Sequence, residues 1–231
     1  MDFRDWEPYY LQILADFHYD QEMDVRSARL LDEIIGSSDI CDESRLMEKM
    51  GHTVSVFGAS PSLKTELAGR GWSGSIVSAG SATSILMADG IVPDVMFTDL
   101  DGDVAAELEA NRQGAIAIIL AHGDNIPLLQ RYVPKFVGAI MPTCQCRPFG
   151  RLRNFGGFTD GDRAVMAARH FGAGRIELIG FDFTSPREKA GGDMAVKRKK
   201  LRWAQHIIYD LNPSGVDLVP SRPPSAGSDG K

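Results

Sequence analysis

The segment Thr98-Asp99-Leu100-Asp101-Gly102 closes the apolar run Ile91-Val92-Pro93-Asp94-Val95-Met96-Phe97, and its residue types suit a magnesium-phosphate site. In extended backbone, residues two apart point to the same side. Asp99 and Asp101 can then aim both carboxylates at one ion while Leu100 turns into the protein. Magnesium favours hard oxygen ligands and is commonly held by one or two carboxylates, with water and substrate phosphate oxygens completing its shell. Asp-Gly is also a common turn dipeptide, so a turn is the structural alternative.

Four other segments carry chemistry-bearing residues. Gly58-Ala59-Ser60-Pro61-Ser62-Leu63-Lys64-Thr65 follows a predicted strand and opens a predicted helix, so backbone N–H groups around Gly58, Ser60 and Ser62 could cradle a phosphate. It is not a P-loop: Leu63 stands where glycine must precede Lys-Thr. In His122-Gly123-Asp124-Asn125, Asp124 could complete a metal shell and His122 could contact phosphate, act as an acid or be structural. Asn125 could cap a helix with Pro127 in its first turn. The run Asn154-Phe155-Gly156-Gly157-Phe158-Thr159-Asp160-Gly161-Asp162-Arg163-Ala164 combines paired glycines, which permit close approach of a flat ligand, with aromatics, carboxylates and an arginine. Thr159 or Asp160 can cap the helix that follows, and Asp162 favours its first turn. In Lys197-Arg198-Lys199-Lys200, Lys197 and Lys200 lie three apart and can share a face toward a triphosphate, although a charge run is ordinarily a solvated face.

The elements that must position these residues are those of an α/β fold, a mostly parallel sheet with crossover helices plus an N-terminal helical segment. Residues 1–50 read as helical, with Tyr10, Ile13, Leu14 and Phe17 on one stripe and Leu30, Leu31, Ile34 and Ile35 on another. Strands are predicted at Val54 to Phe57, Ser75 to Ser78, Asp94 to Phe97, Ala115 to Leu120, Phe136 to Met141 and Arg175 to Ile179. Each ends in a polar or glycine-rich loop, and in a parallel sheet these loops share the edge where ligands bind. A last helix is predicted from Met194 to Leu211, ending at Asn212-Pro213. The expected division is a helical segment over 1–50, a catalytic domain over 51–212 and a flexible tail over 213–231, rich in Pro, Ser and Gly from Pro220.

Among 231 residues, 25 Lys+Arg against 31 Asp+Glu leave a formal charge of -6, which argues against nucleic acid or an anionic membrane as partner. The opening Met1–Glu7 lacks the order of a signal peptide and no apolar run is long enough to span a bilayer, so a cytoplasmic location is expected. Cys41, Cys144 and Cys146 form an odd set that reads as reduced thiols. The oligomeric state, a homo-oligomer included, is left open.

In order along the chain, Gly58-Ala59-Ser60-Pro61-Ser62-Leu63, Pro93-Asp94, Thr98-Asp99-Leu100-Asp101-Gly102, His122-Gly123-Asp124-Asn125 and Gly156-Gly157-Phe158-Thr159-Asp160-Gly161-Asp162-Arg163-Ala164 resemble the archaeal 6-hydroxymethyl-7,8-dihydropterin pyrophosphokinases, over roughly residues 52–211. The stretch from Ala88 to Asp101 also resembles the magnesium-binding part of thiamine pyrophosphokinases. Two departures stand out. Ser60 takes the place of a glycine, and Ala79-Gly80-Ser81 stands where Ala-Asp-Gly is expected. The resemblance implies a thiamine-pyrophosphokinase-like catalytic domain that transfers diphosphate from ATP to the pterin hydroxymethyl oxygen and releases AMP, in folate or methanopterin synthesis. It implies Asp99, Asp101 and Asp124 as ligands of Mg2+, and Asp160 or Asp162 as a metal ligand or the group orienting the hydroxyl. Gly58, Ser60, Ser62, His122, Asn125, Lys197 and Lys200 are then expected on the ATP side, and Asn154, Gly156, Gly157, Phe158, Thr159, Asp162 and Arg163 on the pterin side. Thiamine diphosphate synthesis and a nonenzymatic nucleotide- or sugar-phosphate-binding module are the alternatives.

Overall fold

The computed structural model describes residues 2–36, 38–69, 71–184 and 193–221. Three helices lead: α1 (Phe3–Phe17), α2 (Gln21–Ile34) and α3 (Glu43–Met50). The side chains of Asp20 and Asp42 accept from Glu22 N–H and Arg45 N–H, satisfying amides that the first turns of α2 and α3 leave without intrahelical partners. Strands and helices then alternate: β1 (Thr53–Phe57), α4 (Leu63–Gly69), β2 (Ser75–Ala79), α5 (Ala82–Ala88), β3 (Val95–Thr98), α6 (Val104–Arg112), β4 (Ile116–Ala121), α7 (Ile126–Tyr132), β5 (Ile140–Cys144), α8 (Asp160–His170), β6 (Arg175–Ile179), α9 (Met194–Tyr209) and β7 (Asp217–Val219). The seven strands form one sheet in the order β5-β4-β3-β2-β1-β6-β7, and every pairing is parallel.

The two-residue period of the strands sorts their side chains onto two faces. Val95, Phe97, Ile116 and Ile118 pack with Leu46 and Met50 of α3 and with the alanine-rich side of α8. Met96, Ala117, Ile119 and Ala121 pack with Trp6, Tyr10 and Ile13 of α1 and with Ala28 and Leu31 of α2. The first two helices therefore share the core of one sheet face. Among the described residues no helix is long and apolar enough to cross a membrane.

Two strand assignments differ from the sequence reading. The segment predicted as a strand over 136–141 begins instead with a 3-10 turn at Val133–Lys135, and the strand lies at Ile140–Cys144. Both side-chain groups of Asn111 hold this approach: its amide oxygen accepts from Gly138 N–H, and its NH2 donates to the carbonyls of Ala115 and Ala139. Pro142 lies within the strand, tolerated because β5 is last in the sheet order and Pro142 faces its outer edge, where its carbonyl accepts from Arg153 N–H and no ladder strand needs its N–H. The second difference is β7, inside the stretch predicted as a tail. Its three residues are too short to show a periodicity, yet they pair with β6. Residues 222–231 of that stretch lie outside the described residues.

Candidate functional site

Because all strands run the same way, their carboxyl ends gather the acidic segment after β3, the His122 loop after β4 and the start of α8. The backbone after β3 is not extended as the spacing suggested. Leu100 has a φ of 67°, in the left-handed region, and its side chain is buried. The Thr98 hydroxyl accepts from Leu100 N–H at 2.9 Å and donates to Glu107 Oε2 at 2.9 Å, and Asp101 N–H donates to Asp99 Oδ1 at 3.1 Å. A hydrogen-bonded turn, fastened to α6 through Thr98 and Glu107, thus places Asp99 and Asp101 side by side.

Both carboxylates border a cavity of about 460 Å³. Its charged and polar lining includes Asp20, Asp24, Asp99, Asp101, His122, Asp124, Asp160 and Lys200. Apolar surface comes from Tyr10, Ile13 and Leu14 of α1, Tyr19 in the connection to α2, Met23 of α2, Leu120 and Phe158. His122 Nδ1 lies 2.9 Å from Asp124 Oδ1 and its Nε2 lies 3.6 Å from Asp99 Oδ2. Burial alone would depress the imidazolium, but the hydrogen bonds and charges of Asp124 and Asp99 outweigh it and raise its pKa to about 9. The same contacts hold Asp99 well below the usual carboxylate range against the opposing effect of burial. Lys200 Nζ lies 5.5 Å from the centre of the Phe158 ring, and both residues border the cavity.

Asp160 is positioned by Arg163, whose Nη1 donates to Asp160 Oδ1 at 2.7 Å while Nη2 donates to Thr143 Oγ1 at 2.7 Å. Burial and the charge of Asp99 nonetheless push the Asp160 carboxyl up to about 7. Glu107, buried behind it, has one carboxylate oxygen without a hydrogen-bond partner. This concentration of acidic oxygens fits a hard divalent cation, with Asp99 and Asp101 as the residues that would hold it. Among the described residues no three His, Cys, Asp or Glu side chains are grouped so that they could hold a metal ion together. His122 lies between Asp99 and Asp124, and the Asp124 side chain is 90% exposed.

Most of the other predicted residues do not border this cavity. Gly58 packs against the carbonyl of Gly180 and the ring of Phe181. Ser60 and Ser62 bond each other at 2.7 Å, and Ser62 donates to Glu66 at 2.7 Å. The loop after β1 is thereby knitted to the loop after β6. Asn125 uses its amide internally: Oδ1 accepts from Ser27 and His122 N–H, and Nδ2 donates to the carbonyls of Asp99 and Leu120. Asn154 likewise ties Gln145 and Cys146 carbonyls to Gly156 N–H. The paired glycines face protein rather than a flat ligand. A Cβ on Gly156 would lie 2.9 Å from Met166 Cε, one on Gly157 would lie 2.6 Å from Arg163 Cα, and both have positive φ. Asp162 is a buried cap at the start of α8, accepting from Phe158 N–H and Thr159 N–H, and burial lifts its pKa to about 6. Of the predicted acceptor segment, Phe158, Thr159 and Asp160 border the cavity; of the two lysines, Lys200 does so and Lys197 does not. Asp24, Tyr10 and Glu107 were missed because each lies on a helix whose pattern reads as ordinary packing or a solvated face.

The profile of a family described as "6-hydroxymethylpterin diphosphokinase MptE-like" matches residues 28–188. Two proteins named 6-hydroxymethyl-7,8-dihydropterin pyrophosphokinase are also similar. That of Methanothermobacter thermautotrophicus is 39% identical, covering 93% of this chain and 97% of that protein. That of Methanocaldococcus jannaschii is 37% identical, covering 91% of this chain and 96% of that protein.

Proposed function

Since this chain belongs to the MptE-like 6-hydroxymethylpterin diphosphokinase family, we propose that it transfers a diphosphate group from ATP to the hydroxymethyl oxygen of 6-hydroxymethyl-7,8-dihydropterin and releases AMP. The observation that carries the reading is one cavity of about 460 Å³ lined both by apolar side chains that suit a flat heterocycle and by acidic side chains that suit a metal-bound polyphosphate. The acceptor ring lies against Ile13, Leu14 and Phe158, and its hydroxymethyl group points toward Asp99, Asp101 and Asp160. Mg2+ held by Asp99 and Asp101 would neutralise phosphate charge. His122, kept cationic by its two aspartate neighbours, and Lys200 attract and orient the same phosphates. Asp160, with a carboxyl titrating near neutrality and held by Arg163, accepts the hydroxyl proton as the oxygen bonds to the β-phosphorus. The bond from that phosphorus to the oxygen of the α-phosphate breaks, and the pair of electrons leaves with AMP. The product serves pterin cofactor synthesis, of folate or methanopterin.

The test is incubation with ATP, magnesium and either the dihydropterin or thiamine, followed by mass detection of AMP and the diphosphorylated product. AMP and pterin diphosphate from the first mixture alone support the reading. Product from thiamine alone favours the related kinase, and binding without AMP favours a nonenzymatic module.

A further inference from the structure

Two carboxylates that border the cavity, Asp20 and Asp24, have no part in the transfer reaction, and Asp20 caps α2. Asp24, in the first turn of α2, is only 7% exposed yet borders the cavity. Its Oδ2 accepts from the Tyr10 hydroxyl at 2.7 Å and its Oδ1 from Gly123 N–H at 2.7 Å. Each carboxylate oxygen has two acceptor positions, so these donors leave one on each oxygen. Taking a carboxylate out of water is costly, and neutral donors recover only part of that cost. Further N–H donors from a ligand would complete its shell.

We propose that Asp24 reads the aminopyrimidinone edge of the acceptor, one oxygen accepting from the ring N3–H and the other from the 2-amino group. This inference rests on the pterin reading given above. The two N–H bonds of that edge are nearly parallel and spaced like the two oxygens of a carboxylate, the geometry that also makes arginine–carboxylate forks strong. Ile13, Leu14 and Leu120 supply apolar surface to the same cavity, which Asp99 and Asp160 also border. In the pterin the hydroxymethyl group sits on the ring opposite the amino edge. A ring anchored at Asp24 would thus extend its nucleophile away from that carboxylate, into the cavity that Asp99 and Asp160 border. The anchor and the phosphate-facing cation share one loop, since Gly123 supplies a donor to Asp24 between His122 and Asp124. Asp24 also separates acceptors: the aminopyrimidine of thiamine sets its amino group beside a ring-nitrogen lone pair, which would face a carboxylate oxygen. Guanine carries the same donor pair as the pterin, so a guanine nucleotide is the second source of this chemistry.

The experiment is fluorescence titration of the wild type and Asp24→Asn with 6-hydroxymethylpterin. Binding of 6-hydroxymethyllumazine, which has an oxo group in place of the 2-amino group, and of GMP is measured alongside. The wild type is expected to bind the pterin at least about 10-fold more tightly than the lumazine, and Asp24→Asn to lose that preference while Mg-ATP affinity changes less than about 3-fold. Where Asp24→Asn fails to melt cooperatively, Asp24→Ser, which keeps a hydroxyl for Tyr10, carries the same comparison. A folded variant that keeps the preference for the pterin overturns the role of Asp24. GMP binding that exceeds pterin binding and disappears in the variant overturns the acceptor assignment in favour of guanine. A wild type that binds neither pterin nor lumazine overturns the pterin reading itself.

Discussion

Glu107→Gln tests the electrostatics beneath the acidic turn. Glu107 is 1% exposed, and burial, reinforced by the charges of Asp160, Asp99 and Asp101, outweighs the hydrogen bond from Thr98 and pushes its pKa from 4.5 to about 8. The folded protein holds this proton more tightly than the unfolded chain. Stability from the neutral carboxyl is therefore complete below the unfolded value and is lost as pH rises through about 8. At ~1.36 kcal/mol per pH unit the full loss is about 5 kcal/mol, of which about 2 kcal/mol falls between pH 6 and pH 8. Glutamine keeps the shape and an oxygen for the Thr98 hydroxyl but does not titrate. Urea unfolding in the presence of chelator should show the wild type losing about 2 kcal/mol more than the variant over that interval. The raised carboxyls of Asp160 and Asp162 and the imidazole of His122 titrate in both proteins and cancel to first order. Parallel stability curves would refute the argument that Glu107 is buried neutral.

Gly157→Val is expected to cost more than about 2 kcal/mol of stability, read by urea melts, because the new side chain meets Arg163 backbone at a residue whose φ is +93°. A variant of wild-type stability that loses only pterin affinity would return these glycines to the ligand site. Asn125→Ala removes hydrogen bonds that join α2, β4 and the acidic turn, and should cost about 2–4 kcal/mol. Its magnesium dependence should also shift to higher concentration, and a change in neither quantity would remove Asn125 from the support of the turn. Asp101→Asn should lower kcat by about 100-fold or more with little change in melting temperature. Near-normal AMP release at limiting magnesium would exclude Asp101 from the metal site.

The sequence revealed the sheet through short β-branched runs and revealed its reactive edge through the polar loops that close them. Asp99, Asp101, His122 and Asp160 meet there because parallel strands must end together. Other features were hidden for identifiable reasons. Pro142 disguised β5, and three residues gave β7 no period to recognise. A glycine placed for ligand approach and one placed for close packing are the same letter. Only the neighbours of Gly156 and Gly157, Met166 and Arg163, show which applies. The apolar stripe of α1 gave no sign that Tyr10, Ile13 and Leu14 would line a cavity as well as a core. An aspartate in a first turn, such as Asp24, has the residue type that complements a helix dipole, and nothing in the chain's local pattern marks that folding places it against a loop 99 residues away.

The fate of each phosphorus of ATP tests the proposed transfer most directly. Phosphorus NMR of a reaction containing the wild-type protein, Mg-ATP and 6-hydroxymethyl-7,8-dihydropterin would follow all three. Transfer at the β-phosphorus predicts AMP and a pterin diphosphate that carries both the β and γ phosphorus atoms, in equal amounts. ADP with a pterin monophosphate, or inorganic phosphate with unchanged pterin, would contradict it.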